Sequence, residues 1–355
     1  MVMNFLQSNS HMSRSKKKQV LLCGTQYGQT YLNAIDGTSD FEVCALLAKG
    51  SDHSIKLSEQ RAINLYTQVE QIDEPVDLAC VAIGGDTGSN IAIALLKKAV
   101  PVLIEHPVSV ENSQKLLNIA KENNTTCHIN SHFTNIYPVA NFIELCLKLN
   151  TISTPNIINV ACNSRTLFSM LDILMHCFGR FSIDNLKSNS IDDSGFYQNC
   201  TLLVNELPCS LVYQKWRSEN DDSKDSPLGH EITITYPQGV LRLAGTFGPC
   251  QWFPLIAAGM SRHYPVYSEH INSAQININT DVIQWRIEAN KQAVQNLYES
   301  NLLNRSVDCY QKEDYLIHLC MIWTQLFSKL GTVEADNYIE NTGMALTNIQ
   351  TIMDM

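Results

Sequence analysis

Short apolar runs alternate with amphipathic runs along the first third of the chain, and this alternation restricts the fold more than any other feature. The predicted strands are 19–23, 41–48, 77–83, 101–107 and 125–131, and the predicted helices are 28–35, 54–63, 89–100 and 111–124. Strands that are joined through helices pair in parallel and are buried on both faces. The sequence therefore predicts βαβ units and a parallel sheet.

Length, charge and cysteine content exclude several classes of protein. The chain has 355 residues, more than the roughly 250–300 at which one core stops growing, so we expect two domains. A net charge of −10 argues against nucleic acid as a partner, and no run of about 20 apolar residues predicts a membrane helix. The 12 cysteines form no C-x-x-C pair, which favours reduced thiols and no metal site. Residues 1–17 lack the apolar core of a secretory signal, so we expect a disordered extension on a cytoplasmic protein.

Ligands bind at the carboxyl ends of strands in such sheets, and the first of these ends is rich in glycine. Gly24 and Gly28 bracket a tight turn that also contains Thr25, Gln26 and Tyr27. A turn without bulky side chains lets the backbone approach a pyrophosphate, and the following helix N-terminus offers unpaired N–H groups. The spacing differs from G-x-G-x-x-G, but its position between strand and helix predicts a dinucleotide site.

The second strand end carries the residues that distinguish one dinucleotide from another. NAD-specific sites hold the ribose hydroxyls with an acidic residue at this place. Here the corresponding positions are Lys49, Gly50, Ser51 and Ser54, and the nearest acidic residue is Asp52. A lysine and hydroxyl groups suit a ribose 2′-phosphate, so NADPH is predicted as the cofactor in preference to NADH.

Two later strand ends complete the predicted site. Gly84 and Gly85 follow the third strand and allow the backbone to approach a ligand closely. The next strand stops abruptly in Glu105, His106 and Pro107. A carboxylate, a titratable ring and a proline are unusual in a strand core, so their place at a strand end marks them as functional candidates.

After Ser131 the alternation ends and a second pattern begins. A helix at 137–149, a strand at 156–164 and a buried helix at 166–179 precede strand-like runs at 200–207, 209–216, 231–237 and 240–248, and helices are predicted at 282–301 and 313–330. Strands with short connections favour an antiparallel sheet. The predicted fold class is α/β, with a Rossmann dinucleotide-binding domain at 18–131 and an α+β substrate and dimerisation domain at 132–355, built on an open, mainly antiparallel sheet.

This organisation resembles the glucose-fructose oxidoreductase and inositol dehydrogenase family over roughly residues 18–330. That family usually ends its fifth strand in Glu-Lys-Pro, whereas this chain has His106 at the lysine position. Many members also carry a catalytic histidine in a helix pattern like His-Asp-x-x-Asp-Leu. In the matching stretch SMLDILMHCFG, Asp172 matches the second aspartate and Ser169 stands at the histidine position. The residue pair of the sugar dehydrogenases is therefore missing at both places.

One branch of that family is similar to this chain at these departures. The segments VLLCGTQYGQTYLNAI, EVCALLAKGSDHS, IEHPVSVENSQKLLNIAKENN, SMLDILMHCFG and LRLAGTFGPCQWFP resemble the thiazolinyl imide reductases of siderophore biosynthesis. The resemblance implies NADPH-dependent reduction of a thiazoline C=N to a thiazolidine, in pathways of the yersiniabactin and pyochelin type. It also implies a substrate tethered to a carrier-protein domain of a nonribosomal peptide synthetase, and a homodimer formed through the second sheet.

Imine reduction needs a hydride at the ring carbon and a proton at the ring nitrogen. The nicotinamide supplies the hydride, and a side chain that titrates near neutrality suits the proton. His106 is therefore the first candidate for the general acid, with Glu105 orienting the loop. The branch implies a tyrosine acid near NSHFTNIY, but Phe133 stands at that place. His132 and Tyr137 are the alternative catalytic candidates.

Two other functions stay open on the sequence alone. A sugar or polyol dehydrogenase that uses NAD(P) has the same architecture, although Ser169 and His106 leave the usual base for the hydroxyl proton missing. A non-catalytic NAD(P)-binding sensor is compatible with the unusual glycine spacing and with Phe133 at the tyrosine position. Oxidation of NADPH by an imine, or reduction of NAD(P)⁺ by sugars, separates these possibilities.

Overall fold

The structure is a computed structural model that describes residues 16–191, 195–217, 228–255, 267–268, 282–303 and 308–334. The predicted N-terminal extension lies outside the described residues, except for Lys16 and Lys17. No helix within the described part is long and apolar enough to cross a membrane.

Six parallel strands form the first sheet, and the alternation predicted five of them. They are β1 (Lys18–Cys23), β2 (Phe41–Leu47), β3 (Asn64–Tyr66), β4 (Leu78–Val81), β5 (Val102–Glu105) and β6 (Cys127–Asn130), in the spatial order β3-β2-β1-β4-β5-β6. Strands β4, β5 and β6 are buried along their whole length, as a sheet covered on both faces requires. The strand order reverses between β1 and β4, so the crevice for a ligand lies at the carboxyl ends of these strands.

Four helices connect these strands: α1 (Gly28–Asp36), α2 (Asp52–Arg61), α3 (Gly85–Lys97) and α4 (Val110–Glu122). Helix α3 begins four residues before the predicted position, with Gly84 as its N-cap in an extended conformation. Its first turn is rich in glycine and short polar residues, which have low helix propensity and gave no helical signal. A Cβ atom on Gly88 would lie 1.8 Å from the carbonyl oxygen of Ile83, so only glycine fits there.

Strand β3 is the one strand of the first sheet that the sequence analysis did not predict. Helix α2 ends at Arg61, and Ala62 turns the chain with a left-handed conformation at φ 52° and ψ 43°. After Ile63, the residues Asn64–Tyr66 pair with β2, and none of them is fully buried. So short and exposed a strand lacks the apolar run on which the other predictions depended.

Eight strands form the second sheet. They are β7 (Ile157–Asn163), β8 (Ile183–Ser190), β9 (Tyr197–Val204), β10 (Leu207–Gln214), β12 (Glu231–Tyr236), β13 (Gly239–Leu243), β14 (Cys250–Pro254) and β15 (Tyr267–Ser268), while β11 (Trp216–Arg217) pairs separately with β16 (Val333–Glu334). Only β7 and β10 pair in parallel within this sheet, which confirms the mainly antiparallel prediction. The predicted strand 240–248 ends at Leu243, and a turn with a cis Gly248–Pro249 peptide leads into β14.

Four further α-helices are described after β6: α5 (Tyr137–Asn150), α6 (Leu167–Phe178), α7 (Ile283–Leu302) and α8 (Glu313–Leu330). Helix α7 packs on α1 and on strands β5 and β6, where Val294 and Leu297 share a core with Leu22 and Tyr31. Helix α8 packs against both α4 and α6. Helices α7 and α8, from the second half of the chain, therefore pack on the Rossmann domain. The domain boundary at residue 131 stays a prediction.

The close approach at Gly88 makes a stability prediction. Gly88→Ala places a methyl group against the Ile83 carbonyl, and we expect a loss of about 3 kcal/mol in the free energy of unfolding. Gly84→Ala is the matched control, because a Cβ at Gly84 meets no atom within 4 Å and its φ is −79°. Thermal or urea unfolding measures both variants. Equal stabilities of the two would contradict the assigned packing of α3.

Candidate active site

Glu105 ends strand β5 as a buried carboxylate that is surrounded by donors. Its register partner on β6 is Asn130, whose Nδ2 lies 3.2 Å from Oε2 of Glu105. The hydroxyl of Tyr31, on α1, donates a short hydrogen bond to the same oxygen. Glu105 is only 9% exposed, so its second oxygen, Oε1, is left for a partner inside the protein.

That partner is His106, the next residue along the chain. Nδ1 of His106 lies 3.0 Å from Oε1 of Glu105 and 2.6 Å from the main-chain oxygen of Asn130. A carbonyl oxygen can only accept, so Nδ1 carries a hydrogen and Nε2 is the ring atom left for other chemistry. The ring stacks on Phe168 at 5.3 Å and meets the edge of Phe133 at 5.8 Å. The peptide between His106 and Pro107 is cis.

Competing effects set the pKa of His106. Burial lowers the pKa because it removes water from the imidazolium, but the hydrogen bond and charge of Glu105, the Asn130 carbonyl and the charge of Asp172 together raise it above the ordinary histidine value. His106 is therefore protonated at neutral pH more readily than an exposed histidine. A buried cation of this kind is a suitable proton donor for a weak base.

His132, the second predicted candidate, lies beside His106 but has the opposite electrostatics. Its ring centroid is 6.2 Å from that of His106, and its Nδ1 is 3.8 Å from Oε1 of Glu105. It stacks on Phe133 at 4.2 Å, and both ring nitrogens lie 3.4 Å from the hydroxyl of Tyr27. Burial, and then the charges of neighbouring groups, hold the pKa of His132 well below the ordinary value. His132 is therefore neutral at physiological pH.

Tyr137, the third candidate, lies apart from this pair. Tyr137 is the first residue of helix α5 and is 51% exposed. Its ring centroid lies 6.1 Å from that of Trp285. No hydrogen bond among the described residues joins it to Glu105, His106 or His132. The structure therefore brings together two of the three predicted catalytic side chains.

The glycine turn after β1 has the geometry that a dinucleotide requires. Gly24 has φ +89°, and a Cβ there would lie 2.8 Å from Cγ1 of Ile83 and 2.9 Å from the Ala82 oxygen. Gly28 begins α1 and packs on Leu22, so the helix N-terminus stands directly behind the strand end. The residues between them are Thr25, Gln26 and Tyr27, of which Gln26 is exposed. This cradle fits a pyrophosphate on its backbone N–H groups.

At the end of β2, some of the predicted residues lie on the surface and others cap helix α2. Lys49 is exposed, and Gly50 turns the chain with φ +77°. Ser51 is the N-cap of α2 and accepts from the N–H of Ser54, while the buried Ser54 hydroxyl donates to the Ser51 oxygen at 2.8 Å. Lys49 and Ser51 are therefore exposed to solvent, and the Ser54 side chain stabilises the first turn of α2.

The third strand end leaves room beside its glycines. A Cβ on Gly84 or on Gly85 would meet no atom within 4 Å, and Gly85 has φ +66°. The backbone at the end of β4 therefore borders open space beside the Gly24 turn, which packs directly on Ala82 and Ile83. Together the two strand ends fit a dinucleotide that runs along the switch in strand order.

Several polar residues at the site were missed by the sequence analysis. Tyr31 and Asn130 contact Glu105, Asn290 contacts Asn130, and His230 forms a buried pair with Ser169. Nε2 of His230 lies 2.7 Å from the Ser169 hydroxyl, and its ring centroid lies 4.7 Å from that of Phe133. Of these residues, only Asn130 could have been found from the sequence. It is a polar residue at the end of a predicted strand that neighbours the strand ending in Glu105.

Glu105, His106 and His132 also offer three ligand atoms within 4.8 Å of one another, the composition of a metal site. The Nδ1 lone pair of His106 is committed to its hydrogen, because Nδ1 donates to the Asn130 oxygen at 2.6 Å. A metal ion would have to displace that hydrogen and face the carbonyl. The absence of a metal from the site stays a prediction.

Comparisons with known protein families agree with these features. Residues 18–131 match the oxidoreductase family with an NAD-binding Rossmann fold, and residues 153–253 match the C-terminal domain of Irp3-like thiazolinyl imine reductases. None of the curated proteins compared with the chain matches it. The fold and the strand-end site thus define an NAD(P)-dependent oxidoreductase. The chain has a GFO/IDH/MocA Rossmann domain, followed by an Irp3-like thiazolinyl imine reductase C-terminal domain.

Solved structures share the fold at low sequence identity. A dehydrogenase from Chromobacterium violaceum superposes with a TM-score of 0.68 at 12% identity, over 96% of this chain and 100% of that chain. Biliverdin reductase from a Synechocystis species, in complex with biliverdin and NADP⁺, gives 0.63 at 12% identity over 88% and 98%. GenD2 from gentamicin A biosynthesis, in complex with NAD, gives 0.65 at 11% identity over 90% and 95%. Identities this low show the fold alone.

The buried His230 makes a prediction about acid stability. Burial lowers the pKa of His230 to about 3, so the folded protein keeps it neutral while the unfolded chain takes up a proton below about pH 6.5. His230 therefore reduces stability by up to about 1.4 kcal/mol per pH unit as the pH falls from 6.5 towards 3. We expect His230→Gln to lose less stability than the wild type between pH 6.5 and 4.

Urea unfolding at several pH values measures this difference. His53→Gln, at an exposed position of α2, controls for the removal of a histidine. Parallel pH curves for the wild type and His230→Gln would contradict the neutral state assigned to His230.

Proposed function

We propose that this protein reduces the C=N bond of a thiazoline ring to a thiazolidine with NADPH as the reductant. The substrate is a siderophore intermediate of the yersiniabactin or pyochelin type, held as a thioester on a carrier-protein domain of a nonribosomal peptide synthetase. The observation that carries this proposal is the buried Glu105–His106 pair at the end of β5, in a chain with an Irp3-like second domain. That pair offers a proton where the Rossmann crevice meets the second sheet.

The strand-end geometry supports NADPH as the cofactor. The Gly24 turn and the N-terminus of α1 suit the pyrophosphate, and the exposed Lys49 with Ser51 suits a 2′-phosphate. When bound, the dinucleotide supplies the hydride to the ring carbon. The protein then has two tasks, to hold the ring against the crevice and to deliver a proton to the ring nitrogen.

His106 delivers that proton from Nε2. Nδ1 keeps its hydrogen, which it directs to the Glu105 carboxylate and the Asn130 carbonyl. These contacts orient the ring while Nε2 reacts. The imidazolium loses one proton, the thiazoline nitrogen gains it, and the ring carbon gains the hydride. The neutral imidazole that remains is stabilised by the same carboxylate until solvent returns the proton.

His132 and Tyr137 are the less suitable proton donors in this proposal. His132 has a lowered pKa and stacks on Phe133, which suits a neutral wall of the substrate pocket. Tyr137 is half exposed beside Trp285 and suits the entrance better than the reacting centre. Of the three candidates, only His106 combines a raised pKa with a fixed hydrogen on Nδ1.

The proposal extends to the assembly and its setting. We place the protein in the cytoplasm, as a homodimer through the second sheet, with the carrier-protein domain as its transient partner. Strand β9 of that sheet alternates exposed and buried residues, which leaves one face available for association. Size-exclusion chromatography with light scattering tests the dimer.

A first prediction tests the proton donor. We expect His106→Ala to lower imine turnover by about 100-fold, the usual scale for loss of a general acid, with NADPH affinity preserved. Turnover is followed by oxidation of NADPH with a salicyl-thiazoline thioester analogue, and NADPH affinity by its fluorescence. Unchanged turnover with weaker binding would reduce His106 to a positioning role.

Reduction of NAD(P)⁺ by a panel of sugars would instead favour a polyol dehydrogenase, and NADPH binding without any turnover would favour a sensor.

A second prediction tests the choice of dinucleotide. Lys49→Ala combined with Ser51→Asp removes one positive charge and adds one negative charge where the 2′-phosphate would lie. We expect the Kd for NADPH to rise at least about tenfold more than the Kd for NADH, since only NADPH carries that phosphate. Fluorescence titration of both dinucleotides measures the ratio. Equal losses for the two would contradict the assignment of this strand end.

A further inference from the structure

Four buried polar side chains form a continuous hydrogen-bonded chain behind His106. They come from four separate elements: Tyr31 on α1, Glu105 on β5, Asn130 on β6 and Asn290 on α7. All four are at most 9% exposed, and Tyr31 and Asn290 are completely buried. Buried amides on the apolar side of a sheet are costly, so a complete set of partners around them requires an explanation.

The distances define how the chain is connected. Nδ2 of Asn130 lies 2.6 Å from the Tyr31 hydroxyl and 2.8 Å from Oδ1 of Asn290. The Tyr31 hydroxyl in turn donates to Oε2 of Glu105. Nδ2 of Asn290 lies 2.8 Å from the main-chain oxygen of Arg286, one turn earlier in α7. The chain thus runs from the backbone of α7 to the carboxylate that holds His106.

The direction of every hydrogen bond in this chain follows from its end. The Arg286 carbonyl can only accept, so Asn290 must present its NH₂ group there and its oxygen to Asn130. Asn130 then donates one N–H to Asn290 and directs the other to the Tyr31 oxygen, with Oε2 of Glu105 as a longer second acceptor at 3.2 Å. Because the Tyr31 oxygen accepts from Asn130, its own hydrogen points to Glu105. Burial, and then the charge of Glu105, raise the pKa of Tyr31 well above 10, so that hydrogen stays in place.

We infer that Asn290 is a positioning residue for proton delivery by His106, acting through Asn130, Tyr31 and Glu105. This inference rests on the proposed function, since it concerns the same acid. Asn290 does not touch His106. It fixes the Asn130 amide, and Asn130 then acts on His106 by two routes. Its side chain acts through Tyr31 and Glu105, and its main-chain oxygen contacts His106 directly at 2.6 Å.

The chain also explains why helix α7 belongs to the site. Without Asn290, the Asn130 amide would lose its only acceptor on α7, and rotation of the amide would place an oxygen against the Tyr31 oxygen or the Glu105 carboxylate. That arrangement opposes like partial charges in a buried position. Glu105 would then adopt more than one rotamer, and the alignment of Oε1 with Nδ1 of His106 would be lost for part of the time.

The pH dependence of His106 reflects charged and titratable groups on several elements. These groups are Glu105 on β5, Asp172 on α6, His132 before α5, His230 before β12, Tyr27 and Tyr31 at α1, and Arg286 on α7. His132 and His230 have lowered pKa values and stay neutral near pH 7, while Glu105 and Asp172 raise the pKa of His106. A misaligned Glu105 therefore moves the pKa of His106 downwards, and the imidazolium is lost at lower pH.

The test is the pH profile of kcat for Asn290→Ala with NADPH and the thiazoline thioester analogue. Since the imidazolium is the active form, kcat falls as the pH rises through its pKa. We expect this alkaline fall to move down by about one pH unit and kcat at pH 8 to drop about tenfold. Gln292→Ala, which removes an exposed amide from the same helix, is the matched control and should keep the wild-type profile.

Two further variants distinguish positioning from a general effect on folding. Tyr31→Phe keeps the ring but removes the hydroxyl that donates to Glu105, and it should shift the profile in the same direction as Asn290→Ala. In a Glu105→Gln background, Asn290→Ala should cause less than a twofold further change, because both act through one carboxylate. Melting temperature and NADPH affinity, measured for each variant, identify any that fail to fold.

The outcomes separate the two proposals. A wild-type protein that binds NADPH but never oxidises it with the analogue would count against the proposed function. An active wild type with an unshifted Asn290→Ala profile would overturn the role of Asn290 and leave the proposed function standing. An equal loss from Asn290→Ala in the Glu105→Gln background would also overturn it, because Asn290 would then act by another route.

Discussion

The hydrogen bond between Nδ1 of His106 and Oε1 of Glu105, 3.0 Å long, is the contact on which the chemistry of the site depends. Burial alone would leave His106 neutral, as it does His132 and His230. The Glu105 carboxylate counteracts the effect of burial and raises the pKa of His106. The Asn130 carbonyl determines that Nδ1 is the nitrogen that keeps its hydrogen. Of the three imidazoles around Phe133, only that of His106 has a raised pKa, because only His106 has a well-aligned carboxylate.

The fold explains why such a pair can exist at this place. A parallel strand that is buried on both faces ends where helices from both halves of the chain meet, so a carboxylate there is shielded from water yet close to the crevice. Helix α1 supplies Tyr31, β6 supplies Asn130 and α7 supplies Asn290. Phe133 and Phe168 cover the opposite side of the His106 ring. The second half of the chain thus completes both the polar support and the apolar wall.

The sequence predicted the fold well because parallel strands carry continuous apolar runs, and five of the six strands in the first sheet were recognised in this way. It failed at β3 and at the start of α3, where exposed or glycine-rich residues carry no such signal. His106 was found because a titratable ring at a strand end is unusual. Tyr31 and Asn290 could not be found, because their partners are 74 to 160 residues away and their roles exist only once four elements are packed together.

Transfer of deuterium from NADPH deuterated on nicotinamide C4 to the substrate tests the central claim most directly. The wild-type protein is incubated with both stereospecifically labelled forms of NADPH and the salicyl-thiazoline thioester analogue, and the product is analysed by mass spectrometry. We predict that one of the two forms yields a thiazolidine with a single deuterium on the former imine carbon, and that His106→Ala slows its formation. Oxidation of NADPH without a labelled thiazolidine, or label transfer that does not depend on His106, would contradict proton delivery by the Glu105–His106 pair to a reduced imine.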